Sequence, residues 1–103
     1  MKIIKELSEM IEDELEGAEE YAKDAIYYKD ENPALAKTFY EISIEEMRHV
    51  DMLHGEVVAL IEKHKREHGN PPAAMLAVYE FLHKRNIEWA AEIRSYQNEF
   101  RTS

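Results

Sequence analysis

Apolar residues return every three or four positions along most of the chain, and the rhythm breaks in only two places. Asn32-Pro33 joins a good helix-capping side chain to a residue suited to the first position of a helix, and Gly69-Asn70-Pro71-Pro72 stops one helix and restarts another. The pattern predicts an all-α fold of three helices, over roughly 3–30, 33–68 and 72–101, in a single domain covering residues 1–103. Gly17 and Gly55 fall inside helical patterns and read as close-packing points or mild weaknesses, Gly55 as a simple cost.

Advancing about 100° per residue separates the faces. On the first helix Ile4, Leu7, Ile11, Leu15, Ala18, Ala22 and Ala25 make one stripe, with Glu14 and Tyr21 at its edge on the buried side. Glu12, Glu16, Glu19, Glu20 and Lys23 fall elsewhere and read as solvated. On the second helix the stripe is Leu35, Phe39, Ile42, Val50, Leu53, Val57, Leu60 and Ile61. Glu46 lies close to its centre, His49 on its flank, and Glu45 well off it. On the third helix Met75, Val78, Leu82, Trp89, Ile93, Tyr96 and Phe100 line up, with Asn86 on the same stripe.

The charge at Glu46 needs an account, because a lone ionised carboxylate in a core costs several kcal/mol and is protonated, paired or metal-bound instead. A hydrogen bond to His49 one turn on, pairing with Arg48, or wet burial at the edge of a loose bundle would each suffice. Alone, Glu-x-x-His is a weak signal in so acidic a chain. A second copy, Glu80-Phe81-Leu82-His83, lies off the apolar stripe of the third helix and reads as surface or subunit contact.

Glu14 changes the weight of the first copy. The short connection makes helices one and two antiparallel, so residues equidistant from the turn sit level, and Glu14 falls within about a turn of Glu46. An acidic residue from one buried face and a Glu-x-x-His from the next form half of a carboxylate-bridged dimetal site. The third helix brings no well-placed glutamate. A two-fold homodimer would complete the set with four helices, four glutamates and two histidines, since an isologous contact repeats every ligand.

Composition narrows the remaining classes. With no cysteine among 103 residues, disulfides, thiolate sites and iron–sulfur clusters are excluded. A formal net charge of -9 argues against nucleic acid and anionic lipid as partners and favours cations. No apolar run suits a membrane span, and the charged start, MKIIKELSEMIEDELEG, has no signal-peptide pattern, so the expected compartment is the cytoplasm. No phosphate loop or Ser, His, Asp set is present. His64 and His68, spaced i and i+4, sit where imidazolium complements a helix dipole. His54 reads as an interface residue, Trp89 and Tyr27-Tyr28 as packing or subunit contact, and Tyr40 as a donor that could reach the site without being required there.

The residues Glu14-Leu15-Glu16-Gly17-Ala18-Glu19-Glu20-Tyr21, then Asn32-Pro33-Ala34-Leu35, then Glu45-Glu46-Met47-Arg48-His49 resemble the first half of a rubrerythrin-type or ferritin-like domain. In architecture the chain is most similar to the encapsulated ferritins, half-ferritins that assemble a ferroxidase centre across a dimer interface. The resemblance covers about residues 7–62. It implies Glu14 as first-helix iron ligand, Glu46 as bridging carboxylate, His49 as terminal nitrogen ligand, and Tyr21 as a hydrogen-bond donor behind them. These four would carry the catalytic site, with two Fe ions per dimer.

The match has departures. Without a gap Glu16 takes the position of the family's ligand, but Glu16 points almost opposite the apolar stripe, which favours Glu14. A long third helix replaces the second helical pair of rubrerythrins, and no Cys-rich rubredoxin module is present. The tail, Glu99-Phe100-Arg101-Thr102-Ser103, lacks the extension that directs encapsulated ferritins into a shell, so the sequence does not support an encapsulin partner.

Carboxylate and imidazole donors suit iron and manganese, and zinc as well. The expected function is therefore a diiron protein at a subunit interface, in a homodimer or higher homo-oligomer, oxidising Fe(II) as a ferroxidase or consuming peroxide. The acidic first helix, including Glu9, Glu12, Asp13, Glu16 and Glu20, could concentrate Fe(II), though each charge alone reads as a solubilising one. Two alternatives stay open: a non-redox metal-binding protein of the same fold, and a metal-free helical assembly or adaptor module in which Glu46 and His49 fix helix register.

Overall fold

The computed structural model describes residues 2–103 as three helices, α1 (Lys2–Tyr28), α2 (Pro33–His68) and α3 (Ala73–Thr102), with no strand among them. The boundaries follow local chemistry. Asn32 accepts a hydrogen bond from the Leu35 backbone N–H through Oδ1 at 3.2 Å, and Pro33 takes the next position, where a missing N–H costs nothing. Gly69 ends α2 at φ 78°, a left-handed conformation that favours glycine, and its N–H bonds the Lys65 carbonyl at 2.9 Å. Lys65, Arg66 and His68 in the last turn complement the helix dipole.

At 36 residues, α2 sets the length of the molecule, whose principal extents are 55 × 18 × 17 Å. Helices α1 and α2 form an antiparallel hairpin, and α3 lies chiefly along α1. The core joins Ile11, Leu15, Ala18, Met47, Val50, Ala90 and Ile93, with Leu53, Val57 and Trp89 packed against it. Small residues bring the helices close: Ala18, Ala22, Ala25 and Ala36 are fully buried. Between the helices Ser43 donates to the Ala18 carbonyl at 2.7 Å and accepts from Gln97 Nε2 at 2.9 Å, so both buried polar side chains are used. At one end the Lys29 ammonium reaches the Phe100 and Ser103 carbonyls.

The α1 stripe is buried as its spacing predicts, except that Leu7 is half exposed. The α2 stripe needs correction. Its fully buried residues are Ala36, Ser43, Met47 and Val50, a line turned by about one residue from the predicted one, and Leu35 is exposed. Glu46 is therefore beside the core line and half-buried, not at its centre. On α3 only Ala90, Ile93 and Gln97 are fully buried, whereas Met75 and Val78 of the predicted stripe are exposed, because α1 and α2 do not cover that half of the helix. Gly55 has open space around it, and a methyl there would meet nothing within 4 Å.

Candidate functional site

Glu14, Gly17, Glu46 and His49 occupy two successive rungs of the hairpin. His49 Nδ1 lies 3.3 Å from Glu14 Oε2, joining the outer pair. One turn nearer the connection, Glu46 lies over Gly17, where an added Cβ would meet Oε2 at 2.2 Å. The missing side chain at residue 17 thus makes the notch that holds the Glu46 carboxylate. Glu46 Oε2 is buried and has no hydrogen-bond partner.

That environment is unfavourable for an isolated anion. Burial pushes the Glu46 carboxyl above the usual carboxylate range, the nearby charges of Glu14 and Glu20 push it further, and His49 opposes them. The ordinary partners foreseen for Glu46 are engaged elsewhere: Arg48 Nε faces Glu45 at 3.6 Å, and His49 faces Glu14. Of the two first-helix candidates, Glu14 is half-buried against His49 and Glu16 is exposed.

Tyr21 sits one turn beyond Gly17 and packs against the Phe39 ring, with centroids 5.8 Å apart. Among the described residues its hydroxyl makes no hydrogen bond to Glu14, Glu46 or His49. Tyr40 points toward α3, stacked on Phe100 at 4.8 Å, and is not at the site. Trp89 donates through Nε1 to Glu19 at 2.7 Å, and Lys23 pairs with the same carboxylate at 2.8 Å, holding it below the usual carboxylate range. Glu19 is thus a packing partner and not a solvated charge. His83, expected at the surface or in a subunit contact, meets His54 across the α2–α3 crevice.

The surface around the four residues has its own order. On α1, Ile3, Leu7, Met10, Glu14, Gly17 and Tyr21 are spaced four and three residues apart by turns; on α2, Leu35, Phe39, Ile42, Glu46, His49 and Leu53 are spaced the same way. This is the seam of a coiled coil. Here it is left open: Met10 is 50% exposed, and Met10, Glu14, His49, Met52 and Leu53 line one depression to which α3 contributes no side chain. Sequence reasoning chose the donors but missed this second seam and the notch at Gly17, although the 4–3 spacing was there to be read.

Glu46, Glu14 and His49 are of the types that can hold iron, manganese or zinc, and Glu46 Oε2 is left without a partner among the described residues. Within one chain, and among the described residues, no three His, Asp or Glu side chains converge as a finished metal cage. Among the described residues no helix is long and apolar enough to cross a membrane. No protein-family model, curated protein or solved structure matches the chain.

Proposed function

We propose that the chain is a ferritin-like diiron protein whose site is completed by a second copy. The observation that carries this reading is the buried, unpartnered Oε2 of Glu46 in a notch made by Gly17. A burial of that kind costs about 1–3 kcal/mol unless something satisfies it, and no side chain among the described residues does. The open seam supports the second half of the proposal. Two such hairpins, related by a two-fold axis and packed seam to seam, form a four-helix bundle with both sets of Glu14, Glu46 and His49 inside it.

In that dimer Glu14, Glu46 and His49 of both chains would together hold two metal ions. Bound iron supplies electrons to dioxygen or peroxide. The protein's own contributions are separate. Gly17 fixes where the Glu46 carboxylate lies, the apolar seam would exclude water from it, and the raised proton affinity of Glu46 sets proton and metal in competition for the carboxylate. Fe(II) would be the substrate, and oxidation to Fe(III) the reaction.

One observation favours a second reading. The contact between His49 and Glu14 satisfies both groups without metal, as it would in a helical assembly module whose polar pair fixes register. A non-redox Mn or Zn protein with the same ligands is the third. An anaerobic Fe(II) titration of metal-free protein beside Glu46→Ala, with oxygen admitted at the end, separates them. Saturation near one iron per chain, lost in the variant and followed by oxygen uptake, supports the diiron reading. Binding without uptake moves the assignment to a non-redox metal protein, and an absence of saturable binding leaves the assembly module.

A further inference from the structure

The near-parallel rings of His54 on α2 and His83 on α3 meet across the crevice. His54 Nε2 and His83 Nδ1 are 3.2 Å apart, whereas the ring centroids are 4.9 Å apart and the ring planes lie within 18° of each other. The two nitrogens are therefore closer than the ring centres, a contact that is a hydrogen bond when one nitrogen carries a proton and offers two donors to a cation when neither does. Metal–nitrogen bonds to imidazole are about 2.0–2.1 Å, so two nitrogen ligands at a tetrahedral ion stand about 3.3 Å apart. The spacing here is the spacing such an ion requires.

The surroundings supply room and further donors. The pair lines a crevice of about 300 Å³, which Ser8, Tyr79, Glu80 and Asn86 also line. Glu80 stands one turn before His83 on the same face of α3, as the Glu-x-x-His spacing dictates. Among the described residues no three donors converge here, and rotation of the Glu80 side chain into the crevice would be needed to add the third. The location has a structural use as well. Of the three helix pairs α2 and α3 touch least, and Val78 and Phe81 on this half of α3 are 54% and 67% exposed.

We infer that His54 and His83, with Glu80 as third ligand, form a second metal site that takes a divalent transition metal such as Zn(II), Co(II) or Ni(II) and pins the first half of α3 to α2. Two imidazoles and one carboxylate, with water in the remaining position, suit these borderline ions better than Mg(II) or Ca(II). The site shares no residue with Glu14, Glu46 and His49 and does not depend on what they do.

Co(II) titration followed by visible absorption tests this on the full chain carrying Glu46→Ala, which disables the other group. The expected result is saturable binding near one Co(II) per chain with the intense bands of a four-coordinate ion, weakened at least tenfold by adding His54→Gln or His83→Gln. Binding that neither histidine variant alters, or no binding in the Glu46→Ala protein, overturns the proposal. Should a histidine variant fail to fold, the histidine-ring NMR signals of the Glu46→Ala protein decide under Zn(II). Shifts of His54 and His83 uphold the site, and shifts confined to His64 and His68 overturn it.

Discussion

The Glu46 carboxylate occupies the place where a side chain on residue 17 would be, with Oε2 2.2 Å from the position of an absent Gly17 Cβ. A glycine inside a helix ordinarily costs about 1 kcal/mol relative to alanine. At this position the glycine leaves a notch that seats a buried acid, and the relationship gives that acid a fixed location on the hairpin.

Gly17→Ala separates stability from binding. The atom that a new methyl would meet is the far end of a flexible side chain, so Glu46 can swing out of the notch. The helix gains propensity while the ligand loses its seat. The expected result is a thermal midpoint equal to or above that of the wild type, with Fe(II) or Mn(II) affinity reduced at least tenfold by anaerobic titration. Unchanged affinity would show that the notch is unrelated to metal.

Glu46 also sets a pH dependence. Its folded-state value is raised above the ordinary 4.5, chiefly by burial, so folding favours the protonated form. The stability it contributes is fully present below pH 4.5 and is lost as pH rises through the raised value. Glu46→Gln should therefore stabilise the metal-free protein at pH 7, by a difference that shrinks toward pH 4.5. Urea midpoints of the two proteins across that range measure it.

The buried polar link across all three helices gives a control unrelated to metal. Ser43→Ala removes the acceptor of Gln97 Nε2 and leaves a buried donor unmatched. A loss of about 1–3 kcal/mol in chemical denaturation is expected, with metal stoichiometry unchanged.

Dimerisation is testable far from any donor. Ile3 and Leu35 lie on the open seam, each three turns from the Glu14 to His49 group, and are 50% and 36% exposed. Replacing both by lysine leaves a single chain nearly as stable, because exposed positions tolerate charge, but places like charges in a seam-to-seam contact. The expected outcome by light scattering is a monomer of full helicity that no longer binds Fe(II) tightly, though every donor is intact.

The three helices were legible because the interruptions at Asn32-Pro33 and Gly69 to Pro72 are strong, and the α1 face because Ile11, Leu15, Ala18, Ala22 and Ala25 leave little choice of orientation. The α2 face was misplaced by about one residue for a physical reason. That helix carries two apolar lines, one covered by α1 and α3 and one open, and a hydropathy pattern merges them. Ser43 deepened the error, since a hydroxyl that bonds Ala18 and Gln97 looks polar in sequence and is fully buried in the fold. Glu14 emerged from helix facing and hairpin register and His49 from its spacing to Glu46, and the structure brings the two together. The meeting of His54 with His83 depends on how α3 lies against α2, which no local pattern encodes.

Native mass spectrometry of the anaerobic Fe(II)-loaded protein tests the central claim most directly, because it reads subunits and metal in the same ion. The account predicts, in protein carrying His54→Gln so that the α2–α3 histidine pair takes no metal, a dimer, or an even-numbered assembly of dimers, carrying two irons per pair of chains, with no iron on any monomer and none once Glu46→Ala is added. Iron held one-for-one by monomers, or a dimer that stays metal-free in excess Fe(II), would contradict it.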